Sequence, residues 1–290
     1  MDIIDIHTHG IGGYDTRTTA GDHILRMAEI HGSYGVSAII PTIYPAAINV
    51  MKENMKAVKN AIEKQKTEHR TQKSKSSEII GVHLEGPFLN PAKCGALSAE
   101  SFIEPTEYSF KELIEGFEDM VKIITVSPEI KGAEGLIKKM SDMGIIVSMG
   151  HSNAKYAEAE AGFNAGARGV THIFNAMSGF HHREPGLAGF GLLNQNIYIE
   201  VIADPYHLHL KTVELIFRTK NHDRIIIVSD TVKQAGTSSY NQAITGSGGR
   251  LSGGCMPVTE SSKRLIEMGY DKNTVLNCIT KNPVRYLSGK

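Results

Sequence analysis

Along this chain, short continuous apolar runs alternate with stretches in which apolar residues recur every three to four positions. The runs are Ile3–Ile6, Val36–Ile43, Ile79–Leu84, Val121–Val126, Ile145–Met149, Gly169–Thr171, Ile197–Ile202 and Arg224–Val228. Unbroken apolar character, rather than strict alternation, suits strands buried on both faces of a parallel sheet. Helical spacing predicts helices over Asp22–Tyr34, Asn49–Gln65, Phe110–Phe117, Ala133–Met143, Ala154–Ala165 and Leu208–Arg218, with two closing helices over Pro257–Gly269 and Lys272–Leu287. Eight rounds of strand and helix predict a closed (β/α)8 barrel of the TIM type, one catalytic domain over residues 1–290, without a β-sandwich. An open doubly wound sheet is the alternative. Gly10-Ile11-Gly12-Gly13 follows the first strand but lacks the spacing of a dinucleotide fingerprint.

Composition narrows the functional classes. Lys plus Arg and Asp plus Glu are each 31, a formal net charge of zero, which gives no global attraction to nucleic acid or an anionic membrane. The polar stretch Thr67–Glu78 carries Arg70, Lys73 and Lys75 without interleaved aromatic residues and is read as a solvated loop. No stretch is apolar for long enough to span a bilayer. Met1–Asp5 has no basic segment ahead of an apolar one, so no signal peptide is expected. Cys94, Cys255 and Cys278 form no CxxC pair, and free thiols in a reducing cytoplasm are expected. Gly246-Ser247-Gly248-Gly249 lacks the lysine of a P-loop. The Ser238–Gly254 loop that holds it follows the eighth strand and is expected to form a lid or wall.

The candidate chemistry sits at the strand ends. Glu85 closes the run Ile79–Leu84 and is followed by Gly86-Pro87. A carboxylate at the mouth of an apolar strand is costly unless a partner neutralises it. His7 and His9 end the first strand and, two apart in an extended chain, face one side. His151, His172 and Asp230 end the fifth, sixth and eighth strands. Barrel enzymes place their chemistry at those carboxyl ends. Four imidazoles and two carboxylates converging on one mouth suit Zn2+, Fe2+, Co2+ or Mn2+, one or two per subunit. A water on such an ion has a pKa near roughly 7, the ion polarises a carbonyl, and Asp230 can carry the proton between water and leaving group. His207-Leu208-His209 repeats the HxH pattern, but His209 falls inside a predicted helix. His83 and Cys94 are read as bystanders.

With these residues in place, His7-Thr8-His9-Gly10, His83-Leu84-Glu85-Gly86-Pro87-Phe88, Gly150-His151-Ser152-Asn153-Ala154, Thr171-His172-Ile173-Phe174-Asn175-Ala176-Met177 and Arg183-Glu184-Pro185-Gly186-Leu187 are recognisable together. They make the chain similar to the amidohydrolase superfamily, and within it to the deacetylases of N-acetylated amino-sugar phosphates. The resemblance implies hydrolysis of the acetyl amide of N-acetylglucosamine 6-phosphate. It implies a primary metal set of Glu85, His151 and His172, a second position at His7 and His9 bridged by Glu85, and Asp230 as acid and base. It places Asn175, Ala176, His207 and Ala96 on the substrate side. Arg183 corresponds to an arginine that reaches the phosphate of the neighbouring subunit, which implies a homodimer. The residue-level alternatives are that Asn175 caps its turn and that Arg183 pairs with Glu184.

Three features depart from that family. Leu97 stands where a sugar-contacting histidine is expected, at a cost of about 1–3 kcal/mol for a lost polar contact. Pro205 stiffens the segment before His207. The β-sandwich that relatives build from both chain ends is not evident in this sequence, which reads either as its loss or as a truncated form. These departures keep two further readings open: a related amidohydrolase acting on another N-acyl substrate, and a degenerate paralogue that binds a sugar phosphate without turnover.

Overall fold

The computed structural model describes residues 2–68, 76–237 and 242–289. Eight parallel strands follow one another around a barrel: β1 Ile4–Thr8, β2 Ala38–Ile43, β3 Val82–Glu85, β4 Val121–Val126, β5 Ile146–Met149, β6 Gly169–Val170, β7 Tyr198–Ile202 and β8 Ile225–Val228. Each pairs with the next in sequence, as in Leu84 with Ile124 between β3 and β4, and Val201 with Ile227 between β7 and β8. The last strand returns to the first just beyond its end. The Asp230 amide donates to the His7 carbonyl at 2.8 Å and the His9 amide donates to Thr231 at 2.8 Å. The ring of strands is thereby closed at its carboxyl end, which is the end that carries the site.

Helices α1 Gly21–Ser33, α2 Ile48–Glu68, α3 Glu107–Ile114, α4 Ala133–Asp142, α5 Tyr156–Ala165, α6 Gly186–Leu193, α7 Leu210–Thr219 and α8 Val258–Glu267 pack around it, followed by α9 Lys272–Ile279 and α10 Lys281–Leu287. Their apolar faces and the outer faces of the strands form one core, while Ile6, Ile40, Ile123, Ile226 and Val228 fill the lumen as a second. Each such side chain contributes roughly 1.5–3 kcal/mol on burial. Tyr286 of α10 plugs the lumen from below. It fits because Gly169 has no side chain there; a Cβ would lie 2.2 Å from the Tyr286 hydroxyl. Above the apolar lumen lies a polar layer, in which His83 Nε2 meets Thr125 Oγ1 at 2.8 Å, Thr125 meets Thr171 at 3.0 Å, and Thr171 donates to Ser148 at 2.7 Å. The candidate ligands form the layer above that.

Several expected elements change. The third apolar run divides into Glu78–Ile79, which pairs with β2, and β3, because Gly81 takes a φ of 150° against the Met120 carbonyl. The predicted closing helix Lys272–Leu287 is two helices, broken at Thr280. Pro283 has no amide hydrogen to give to the carbonyl of Ile279, so the helix restarts. Helix α6 was not expected. Its sequence, GLAGFGLL, is almost wholly buried and shows no polar stripe. Residues 69–75 of the predicted loop Thr67–Glu78 lie outside the described residues, as do residues 238–241 of Ser238–Gly254.

Candidate metal centre

Glu85 is the last residue of β3 and is 3% exposed. Its Oε1 lies 3.1 Å from His151 Nε2 and 3.0 Å from His172 Nε2, while Oε2 lies 3.1 Å from His9 Nε2. The two imidazole nitrogens of His151 and His172 are 3.2 Å apart. His7 Nε2 is buried without a hydrogen-bond partner, 3.5 Å from Glu85 Oε1 and 3.4 Å from Asp230 Oδ1; His9 Nε2 is 3.5 Å from the same Asp230 oxygen. All six predicted residues are therefore brought together, as two triads, Glu85, His151 and His172 on one side and His7, His9 and Asp230 on the other, with Glu85 also within 3.5 Å of His7 and His9.

Two different backbones carry these residues. His7 lies near the end of β1, where its register against β2 shifts between Asp5 and Thr8, and His9 follows the strand, neither with left-handed backbone. His151, His172 and Asp230 each stand two residues beyond a strand, with φ of 48°, 29° and 47°. With Phe174 and Ala176 they are the non-glycine residues of left-handed backbone among those described. Such conformations cost on the order of 1–3 kcal/mol each and cluster where function requires them. The third of these turns is braced by Gly254, whose amide donates to the Asp230 carbonyl at 2.7 Å.

The outer nitrogens fix which ring atoms point inward. His9 Nδ1 donates to the Thr42 carbonyl at 3.0 Å and His151 Nδ1 to the Lys93 carbonyl at 3.0 Å. Both rings therefore present a lone pair at Nε2. Lone pairs facing one another and a carboxylate repel, and a divalent cation between them removes the repulsion. The residues present fit such an ion. Burial would raise the Glu85 carboxyl, but His151, His9 and the bond from His172 outweigh it and hold it well below the usual range. Burial would lower the His7 imidazole, but Asp230, Glu200 and Glu85 outweigh it and hold it well above the usual range. Burial pushes Asp5, below His7, up to about 6 against bonds from Ser229 and His7.

A cavity of about 320 Å³ opens over the centre. Asn175, Ala176, His207, Ala96 and Leu97 line it. Asn175 also donates to the His172 and Ile173 carbonyls at 3.3 Å, so it braces its own turn. His207 Nδ1 bonds Asp204 at 2.9 Å, and Asp204, which burial would raise, is drawn down to about 2 by His207 and the Tyr206 and His207 amides. Arg250, Leu251, Ser252 and Gly253 form one wall, which places part of the long glycine-rich loop at the site. Arg183 is exposed, bonds His182 at 3.0 Å, and does not line the cavity; Glu184 instead accepts from the Tyr156 and Gly186 amides, so the Arg183–Glu184 pair is not formed. His83 points below the ligands, to Thr125. His209 caps α7 rather than lying inside it, because its ring accepts from the Lys211 amide.

Four contributors went unread in the sequence. Tyr44 stacks on His9 with centroids 3.9 Å apart, and Arg17 lies 3.6 Å over Tyr44. Arg250 donates to the Gly95 carbonyl at 3.2 Å. Glu200 accepts from His7 Nδ1 at 2.9 Å. Only Glu200 carried a signal, as the lone charge in the buried run Tyr198–Ile202.

Residues 3–289 match the Amidohydrolase family. An N-acetylgalactosamine-6-phosphate deacetylase of Escherichia coli O157:H7 is 27% identical over 98% of this chain and 76% of its own length. An N-acetylglucosamine-6-phosphate deacetylase of Bacillus subtilis (strain 168) is 31% identical over 91% of this chain and 69% of its own. The crystal structure of N-acetylglucosamine-6-phosphate deacetylase from Thermotoga maritima superposes with a TM-score of 0.87 at 26% identity, covering 99% of this chain and 78% of that one.

Proposed function

The chain belongs to the amidohydrolase family, and from that premise we propose that it hydrolyses the acetyl amide of N-acetylglucosamine 6-phosphate, giving acetate and glucosamine 6-phosphate. The observation that carries the proposal is the shared carboxylate: one Glu85 side chain within 3.1 Å of His151, His172 and His9, under an open cavity, with Asp230 opposite. Glu85, His151 and His172 would hold a divalent ion, and His7 and His9 a second. Bound there, such an ion polarises the acyl carbonyl and acidifies water. Asp230 takes the proton from the attacking water at a carboxylate oxygen and returns it to the departing amine nitrogen. Asp230 is suited to this because it is only 9% exposed yet lines the cavity. Tyr44 covers His9 and keeps bulk water from that flank.

On the substrate side, we assign the Asn175–Ala176 turn, Ala96 and His207 to the sugar. Asp204 holds His207 with its Nδ1 proton spent, so Nε2 is free for a hydroxyl. Arg183, exposed and off its own chain's cavity, is assigned to the phosphate of a neighbouring copy, which makes a homodimer the working assembly. We take the barrel, residues 1–290, as the catalytic unit and the cytoplasm as its compartment. Among the described residues Cys94, Cys255 and Cys278 are unpaired and no helix is long and apolar enough to cross a membrane.

The test is acetate release from N-acetylglucosamine 6-phosphate, from its galacto epimer and from unphosphorylated N-acetylglucosamine. The epimer belongs in the assay because relatives carry both names. Turnover of a phosphorylated sugar, weaker without phosphate, is expected. Equal rates with and without phosphate would remove the phosphate from the proposal, and no acetate from any of the three would end it.

A further inference from the structure

Of the four rings at the centre, three are backed by nothing charged. His9 and His151 lean on backbone carbonyls, and His172 Nδ1 is buried without a partner. His7 alone is backed by a carboxylate, Glu200, at 2.9 Å. Glu200 comes from the middle of β7, is 1% exposed, and its second oxygen, Oε1, has no hydrogen-bond partner. A buried carboxylate left half satisfied does not help folding; an apolar residue of similar size would usually serve stability as well or better. An orphaned buried group of this kind calls for a functional explanation.

The surroundings say what it serves. Glu200, His7 and His83 offer ligand atoms within 4.8 Å of one another, but His83 is already held by Thr125 at 2.8 Å and by the Ile6 carbonyl at 3.3 Å. Glu200 therefore acts on His7. By accepting the Nδ1 proton it fixes the ring with its lone pair at Nε2, which is the buried atom left unpaired between Glu85 and Asp230. It also adds a negative charge behind the two rings, on the side away from Glu85 and Asp230. A carboxylate behind a histidine orients the ring and makes it a stronger ligand.

We infer that Glu200 is a positioning residue for a second divalent ion, held by His7 and His9 with Glu85 and Asp230, and that it is what lets this side of the centre compete with the Glu85–His151–His172 side. The inference rests on the metal-dependent reading of the site, but not on any particular substrate.

The experiment is a Mn2+ titration of ion-free protein, with bound metal counted by elemental analysis, on the natural chain, Glu200→Gln and Glu200→Met. Glutamine keeps an acceptor for His7 and removes the charge; methionine removes both. The natural chain is expected to take two ions. Both variants should keep the first ion with unchanged Kd, while the Kd of the second rises about 10–100-fold, more for methionine. Spin coupling between paired Mn2+ ions should disappear in step. Melting of the ion-free variants should be unchanged or higher, whereas a merely structural Glu200 would lower it. Two ions bound as tightly in both variants, or a single ion at saturation in the natural chain, overturns the inference. Should methionine prevent folding, glutamine decides alone. Glu200-dependent binding without acetate release would leave the inference standing and the substrate assignment fallen.

Discussion

The two sides of Glu85 reach a similar ligand set by different means. His151 and His172 sit on strained loops, with left-handed backbone and only neutral groups behind them. His7 and His9 stand at the end of β1 without left-handed backbone, and behind His7 stand the carboxylates of Glu200 and, lower down, Asp5, which accepts the His7 amide at 3.3 Å. One histidine pair is aimed by geometry and the other by charge. The difference teaches that a side chain's inward aim can be set by an unusual backbone, or by a second group that fixes its tautomer on an ordinary one. The first device locks position at a conformational cost, and the second tunes affinity through a residue outside the ligand shell.

The sharpest way to break the comparison is to remove what the sides share. Glu85→Ala should lose both ions and reduce acetate release to background; retention of either ion in elemental analysis would mean that the sides are independent. Removing one ring from each side separates them: His151→Ala should empty the geometric side, and His7→Ala only the charged one. Asp230→Asn should keep the ion at Glu85, His151 and His172 while lowering kcat by about 10²–10⁴-fold. An unchanged kcat would take Asp230 out of the proton transfer.

Smaller effects probe the supports. His31 of α1 bonds Thr8, between His7 and His9, at 3.0 Å, and burial holds its imidazole down at about 4. The unfolded chain binds that proton near pH 6.5 and the folded chain near 4, so unfolding takes up a proton within that window. Stability is then fully present above the unfolded value and falls as the pH drops towards 4, by up to about 3 kcal/mol. In denaturant titrations His31→Gln should lack this acid-dependent loss; a parallel pH profile for the two proteins would show that His31 is not its source. Smallest is Gly254→Ala. A Cβ there would lie 1.9 Å from the Ser229 carbonyl oxygen, so the Asp230 turn must shift. Overpacking of this kind costs about 1–3 kcal/mol, a few degrees of melting temperature. A melt identical to that of the natural chain would show that the turn yields freely.

Much of this was legible in the sequence because barrel strands buried on both faces are continuous apolar runs, and their ends can be read as places. Glu85, His151, His172 and Asp230 each terminate a run, and His7 and His9 share the parity of one strand. What stayed hidden has particular causes. Left-handed backbone at His151, His172 and Asp230 is invisible because histidine and aspartate do not announce it as glycine does. Helix α6 has no polar face to give it a period. Arg250 and Tyr44 come from loops whose course is set by tertiary contacts. Glu200 was in plain view inside a buried strand, and its meaning needed His7 beside it.

The central claim is that ions held around Glu85 drive deacetylation of an amino-sugar phosphate. Its most direct test is to titrate divalent metal into ion-free protein while following acetate release from N-acetylglucosamine 6-phosphate and counting bound ions on the same sample. Turnover that rises from zero in proportion to the first ion bound, one acetate per free amine, is the predicted result. Full turnover by ion-free protein, or saturated ion binding with no acetate, would contradict it.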